Sequence, residues 1–173
     1  MTERAIRLEP WDDSGLALLR AMNGHEQMIH LGGPEPDEKL VERQTRYLTY
    51  DKPGEVRMLR IVEAGVNLGS IGYWETEWAG ETAYETGWSV APGHHGRGIG
   101  GAAALLLLGM LQGEARHRFL YAFPLPGNGG SNGICRKLGF ELTGLADFEY
   151  PKGTVSPHNV WQLDLRVRPR QPA

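Results

Sequence analysis

The stretch WSVAPGHHGRGIGG, from Trp88 to Gly101, constrains this chain more than any other, because four glycines (Gly96, Gly98, Gly100, Gly101) fall within six residues between a strand-like and a helix-like run. Glycine lets the backbone approach a ligand closely and take left-handed torsions, and the free N–H groups that open the following helix carry partial positive charge. The pattern predicts a cradle for a phosphorylated ligand. An ordinary strand-to-helix connection needs one or two glycines, so four argue for more than a change of direction.

The rest of the chain narrows the setting. Its 173 residues, 40% hydrophobic, suffice for one domain with its own core. That domain is expected over residues 1–168, with 169–173 a disordered tail. MTERAIRLEPWDD has no basic leader followed by an apolar run, and the longest apolar segment, Ala102 to Leu111, is too short to cross a bilayer. A cytoplasmic protein with no membrane partner is expected. The single cysteine, Cys135, excludes an internal disulfide framework and any CxxC motif, and reads as a small core hydrophobe. A net charge of −3 gives no general pull on nucleic acid. His94 and His95 have no third ligand at metal spacing, so no metal is expected.

Periodicity orders the elements. Ala5 to Leu8 reads as a strand; Leu16, Leu18, Leu19 and Met22 give a helix ending near Asn23-Gly24; Asp37 opens a second helix over Leu40, Val41, Tyr47 and Leu48. The period then changes. Val56 to Val62, Val66 to Trp74 and Ala83 to Val90 read as three strands joined by turns at Glu63-Ala64-Gly65 and Ala79-Gly80, an antiparallel meander. Gly98 to Gln112 is an apolar helix without a polar face, expected to be buried on most sides. Phe119 to Phe123 is a strand, and Ser131 to Leu138 a helix with Ser131 as N-cap and Gly139 at its end. Glu141 to Thr143, with the aromatic stretch near Tyr150, and Asn159 to Val167 close the sheet. The fold class is α/β in the α+β sense, a mixed but largely antiparallel sheet of about six or seven strands flanked by about four helices.

Gly96, Gly98 and Gly101 also spell the dinucleotide fingerprint GxGxxG. That fingerprint belongs in a parallel βαβ unit with an acid about twenty residues on. Here the preceding strand lies in a meander and the following strand, LYAFP, ends in no acid. Two segments together point elsewhere. VAPGHHGRGIGGAAALLLL followed by NGGSNGICRKLGF resembles the Gcn5-related N-acetyltransferase superfamily, in which the first segment runs Arg or Gln, two residues, Gly, one residue, Gly or Ala. Here it reads His95-Gly96-Arg97-Gly98-Ile99-Gly100, departing at His95. The second segment is Asn, two residues, Ser or Ala, then Gly-Phe after seven more, which Asn128, Ser131 and Gly139-Phe140 fit. The resemblance implies an acyl-CoA N-acyltransferase-like fold that binds acetyl-CoA through Val90, His95 to Gly101, Asn128 and Ser131, the amides of Gly96, Arg97, Gly98, Ile99, Gly100 and Gly101 gripping its pyrophosphate.

Acetyl transfer to an amine needs a neutral nitrogen, and deprotonating a lysine-like amine at neutral pH costs roughly 4 to 5 kcal/mol, so a carboxylate base is expected. Glu85 in YETGWSV is the candidate. Alternation puts Tyr84, Thr86, Trp88 and Val90 on one face of that strand and Ala83, Glu85, Gly87 and Ser89 on the other. The resemblance implies a strand glutamate base at this offset and a backbone N–H near Val90 for the oxyanion. Many relatives carry a tyrosine acid where this chain has Cys135; no dedicated acid, or Tyr150 or water, is expected instead.

Glu75, Glu77, Glu81 and Glu85 interleave with Trp74, Trp78 and Trp88, a combination suited to a cationic amine. HEQMIHLGGPEP resembles the ribosomal-protein acetyltransferase branch, with the acceptor open between a small molecule and a protein amine, and a homodimer also open. Two other readings stand beside the enzyme: a non-catalytic acyl-CoA-binding module and a dinucleotide-dependent oxidoreductase.

Overall fold

The computed structural model describes residues 5–24, 26 and 28–168. The expected tail at 169–173 and two residues of HEQMIHLGGPEP, His25 and Gln27, lie outside them. The elements are β1 (Arg7–Pro10), α1 (Gly15–Met22), α2 (Asp37–Tyr47), β2 (Asp51–Lys52), β3 (Val56–Glu63), β4 (Val66–Trp78), β5 (Glu81–Val90), α3 (Ile99–Glu114), β6 (Phe119–Ala122), α4 (Gly129–Leu138), β7 (Glu141–Glu149) and β8 (Val155–Asp164). The strands form one eight-stranded sheet in the order β1-β3-β4-β5-β6-β8-β7, with β2 on β3.

Two-residue turns build the meander. Ala64 and Gly65 join β3 to β4, Ala79 and Gly80 join β4 to β5, and all four have positive φ (50°, 79°, 51° and 81°). Positive φ at both central positions is the turn geometry that matches the right-handed twist of paired strands. Alanine there is strained by roughly 1 to 2 kcal/mol.

The helices cover both faces. α1 and α2 pack Leu18, Leu19, Met22 and Leu40 with Trp11 against Met58 on one side. On the other, α3 lays Ala103, Ala104, Leu107, Leu108 and Leu111 over Leu59, Ile61, Tyr73 and Tyr84. Neighbouring residues Met58 and Leu59 thus serve opposite layers, as the pleat requires. α3 is not buried on most sides as its composition implied. Leu106 is 44% exposed, because the helix lies on the outside of a single sheet and buries only the stripe that faces it. No helix among the described residues is long and apolar enough to cross a membrane.

β5 and β6 are the parallel pair, and they stay together only for Tyr84 opposite Leu120 and Glu85 opposite Tyr121. Beyond Glu85 they part. β6 ends at Ala122 and runs into Phe123, Pro124, Leu125 and Pro126, and the two prolines carry no N–H with which to continue a ladder. β5 continues to Val90 with one edge uncovered. The gap between the two strands is where the site lies.

Candidate active site

Glu85 is the last β5 residue paired on both sides, to Trp74 of β4 and to Tyr121 of β6. Its side chain accepts a hydrogen bond from the Trp74 indole (Nε1 to Oε2, 3.2 Å). Burial pushes the carboxyl up to about 7, while the Trp74 N–H pulls it back down. It faces a cavity of about 280 Å³ whose walls include Tyr47, Trp74, Trp88, Phe148 and Tyr150. Gly87 shares this face. A Cβ there would meet the Trp74 ring at 3.3 Å, so a small residue keeps the indole on Glu85.

A second cavity of about 720 Å³ runs along the glycine loop, lined by Val90, His95, Gly96, Gly98, Ile99, Gly100, Gly101, Asn128 and Ser131. Gly96 and Gly98 both sit at φ +74°, and a Cβ at either would meet nothing within 4 Å. The cradle is therefore held open by torsion. Gly98 caps α3 without a side-chain hydrogen bond, which leaves the first N–H groups of a 16-residue helix directed at the cavity. Gly100 has a packing reason as well, since a Cβ there would lie 3.0 Å from Ile134 Cδ1.

The two cavities share His30, Leu31, Trp88, Ser89, Asn128 and Ser131, so they form one groove with Glu85 on one side and the cradle on the other. Ala91 donates its N–H to Leu68 O at 2.7 Å. Counting back along the antiparallel register, Gly69 and Val90 are a non-hydrogen-bonded pair, so the Val90 N–H and C=O point away from β4 toward the gap. His95 Nε2 donates to the Val90 carbonyl at 2.7 Å, leaving the N–H as the polar group of Val90 that faces the groove.

The structure sorts these residues by what each side chain touches, and it revises some of the expectations. Arg97, expected to contribute its amide, is not among the residues lining the groove, and its side chain donates to Glu63 at 2.9 Å and to His94 Nδ1 at 3.1 Å. His95 lines the groove, but its ring is committed to Val90. The N-cap of α4 is Asn128, not Ser131, and its Oδ1 accepts the Ser131 N–H at 3.2 Å. Of the Glu and Trp cluster only Glu85, Trp74 and Trp88 converge. Glu75 pairs with His117 at 2.7 Å, Glu77 accepts from the Thr82 hydroxyl, and Trp78 packs on Phe123 at 4.7 Å outside this cavity. Cys135 is fully buried, and burial pushes its thiol up to about 12. The glycine-rich turn does sit in a parallel βαβ unit, β5-α3-β6, contrary to the meander argument against a dinucleotide site. No acid stands at the end of β6, as that site would require.

Sequence reading missed Asn132. Its Nδ2 donates to Leu125 O (2.9 Å) and Asn128 O (2.8 Å), and its Oδ1 accepts from Asn159 (2.9 Å) and Trp161 (2.7 Å). It holds the Leu125–Asn128 wall of the groove to β8. Trp74 as the partner of Glu85 was also missed, because cross-strand register cannot be read from one strand.

A family model described as the acetyltransferase (GNAT) domain matches residues 5–141. Solved structures with the same fold include a GNAT-family acetyltransferase from Bacillus anthracis (TM-score 0.77, 16% identity, covering 96% of this chain and 98% of that one). RimL, a ribosomal alpha-N-protein acetyltransferase in complex with coenzyme A, superposes with TM-score 0.77 at 17% identity over 95% and 96% of the two chains. An aminoglycoside acetyltransferase in complex with coenzyme A gives 0.75 at 18% identity over 92% and 95%. At these identities the likeness is one of fold. No curated protein matches the chain in sequence.

Proposed function

We propose, from the premise that this chain belongs to the GNAT acetyltransferase family, that it moves the acetyl group of acetyl-CoA to a primary amine, with Glu85 as the base. The observation that carries this reading is the position of Glu85 at the fork of β5 and β6, facing a small cavity continuous with the glycine cradle. Coenzyme A in the solved complexes of RimL and the aminoglycoside acetyltransferase supports the choice of acyl donor.

The cradle fits a pyrophosphate by its donor set. Amides of Gly96 to Gly101, presented by an uncapped helix N-terminus, offer fixed positive dipoles to an anion. Asn128 and Ser131 face them across the groove. The thioester then lies along the open edge of β5, where the Val90 N–H meets the carbonyl oxygen and stabilises the charge that forms on it.

The acceptor amine enters beside Glu85. A carboxyl near 7 is about half ionised at neutral pH, which suits a group that must first take a proton and then release it. The ammonium gives one proton to Glu85, the freed lone pair attacks the thioester carbon, and as the C–S bond breaks the proton still surplus on nitrogen replaces the one that passes to the leaving thiolate. Tyr150 lines the same cavity. Burial first, then the Glu35 and Glu85 carboxylates against the pull of Arg43, hold its hydroxyl above the ordinary tyrosine value. It stays protonated at neutral pH and is the side chain able to donate to the leaving thiolate, a role its burial denies to Cys135.

Release of free thiol from acetyl-CoA in the presence of a panel of amines tests this reading. Amine-dependent release is expected. Tight acetyl-CoA binding with no release on any amine would favour a non-catalytic acyl-CoA-binding module, and stabilisation by NAD(P) or a flavin instead of CoA would favour the oxidoreductase.

A further inference from the structure

The acceptor cavity has an unusual balance of charge and aromatic surface. Among the described residues lining it, Glu85 is the one carboxylate and there is no lysine or arginine; the other carboxylate of the combined groove, Glu26, is on the cradle side. Six aromatic rings line the walls: Tyr47, Trp74, Trp88, Phe123, Phe148 and Tyr150. Phe123 and Phe148 are stacked, centroids 4.8 Å apart and planes 19° from parallel, and form one flat wall. Arg43, whose charge acts on both Tyr47 and Tyr150, is already matched by Glu35, with Nη1 to Oε2 at 2.6 Å and Nη2 to Oε1 at 2.9 Å. Its charge is thereby balanced, and Arg43 itself is not among the residues that line the cavity.

Each feature excludes a kind of acceptor. A polyamine or aminoglycoside would bury several ammonium groups against a single carboxylate, and the unpaired ones would lose their hydration without a counterion. An amino acid would bring its own carboxylate to a wall whose described basic side chains are two histidines, His30 and His158, with no lysine or arginine to meet it. A peptide N-terminus would pair on one side with the uncovered edge of β5, but its remaining amides would face the stacked Phe123 and Phe148 rings, which offer no partner. One ammonium beside one carboxylate, with a flat apolar body against aromatic faces, leaves no charge unmatched. At about 280 Å³ the cavity is also near the lower end of the range for small-molecule sites.

Resting on the acetyltransferase reading above, we propose that the acceptor is a primary monoamine with an aromatic or flat apolar body, without a carboxylate or a second nearby ammonium. Glu85 takes its ammonium, and the Phe123–Phe148 wall takes its body.

The test is the kcat/KM of the whole protein with acetyl-CoA for 2-phenylethylamine, ethylamine, spermidine, L-phenylalanine and a serine-initiated tripeptide. 2-Phenylethylamine is expected to exceed spermidine, L-phenylalanine and the tripeptide by roughly a hundredfold, the scale of one unmatched charge or a set of unmatched amides. Phe148→Leu is expected to raise KM for 2-phenylethylamine several-fold and narrow its advantage over ethylamine. Equal or faster turnover of spermidine, L-phenylalanine or the tripeptide overturns the assignment. If acetyl-CoA binds but no amine is acetylated, the transfer reading fails and the substrate class is decided separately. The same amines are then titrated into the CoA-bound protein while tryptophan fluorescence is followed. 2-Phenylethylamine binding most tightly supports the assignment, and its binding no better than spermidine or L-phenylalanine overturns it.

Discussion

Glu85 carries opposite consequences for stability and for activity. A carboxyl raised to about 7 in the folded protein binds its proton more tightly there than in the unfolded chain, where its ordinary value is near 4.5. Its cost to the fold is absent below about pH 4.5, grows as pH rises toward 7, and is constant above. The upper bound of that cost is about 3 kcal/mol. Glu85→Gln removes it. The variant is expected to melt at or above the parent's temperature at pH 8, with the gap closing at pH 5, while kcat for the best amine falls roughly a hundredfold or more. Thermal melts at both pH values with kcat at pH 7.5 check the pair, and a variant less stable than the parent at pH 8 would contradict the burial argument. Cys135 makes the opposite case. Fully buried, with its thiol pushed up to about 12, it cannot present a proton to the groove. Cys135→Ala should keep kcat within about twofold, losing only the roughly 1 kcal/mol of a small buried group; a large fall in kcat with normal folding would restore it as the acid.

Among the elements, the cradle and the α4 wall are held by different means. Gly98 at φ +74° is required by torsion, with nothing within 4 Å of a Cβ, so Gly98→Ala should cost roughly 1 to 2 kcal/mol of backbone strain and raise KM for acetyl-CoA by roughly tenfold. Gly100→Ala meets the flexible tip of Ile134 at 3.0 Å, in a helix where alanine is favoured, and should be far milder. Steady-state titration of acetyl-CoA separates the two. Asn132→Ala removes one of the two donors to each of the Leu125 and Asn128 carbonyls and leaves the Asn159 amide and the Trp161 N–H without their acceptor. Denaturant unfolding should show a loss of roughly 2 to 4 kcal/mol. The legible and the hidden divide along this line. The cradle could be read because glycine spacing is local. Asn128 and Ser131 were legible as a pair, although which of them caps α4 was not, because either can accept a helix N–H. Asn132 carried no signal, since its four partners come from a loop and from β8, up to 29 residues away.

Taken whole, the molecule is a meander and a βαβ unit sharing one strand. β5 closes the β3-β4-β5 meander through a two-residue turn and opens β5-α3-β6, so its first half is ordinary sheet and its second half an uncovered edge. The turns at Ala64-Gly65 and Ala79-Gly80, the helix α3 and the order of elements were readable from period and punctuation. The parallel pairing of β5 with β6 was not, because two residue pairs leave no periodic trace in either strand. Nor was the sorting of the carboxylates. Glu75, Glu77 and Glu85 look alike in the sequence, and only register shows that the first two have other partners while Glu85 stands at the fork. The central claim is that Glu85 takes the acceptor's proton at that fork. Its most direct test is kcat/KM for the best amine between pH 5.5 and 9, for the parent and for Glu85→Gln. The account predicts an acidic limb near pH 7 in the parent, abolished in the variant together with most of the rate. The same limb and the same rate in both proteins would contradict it.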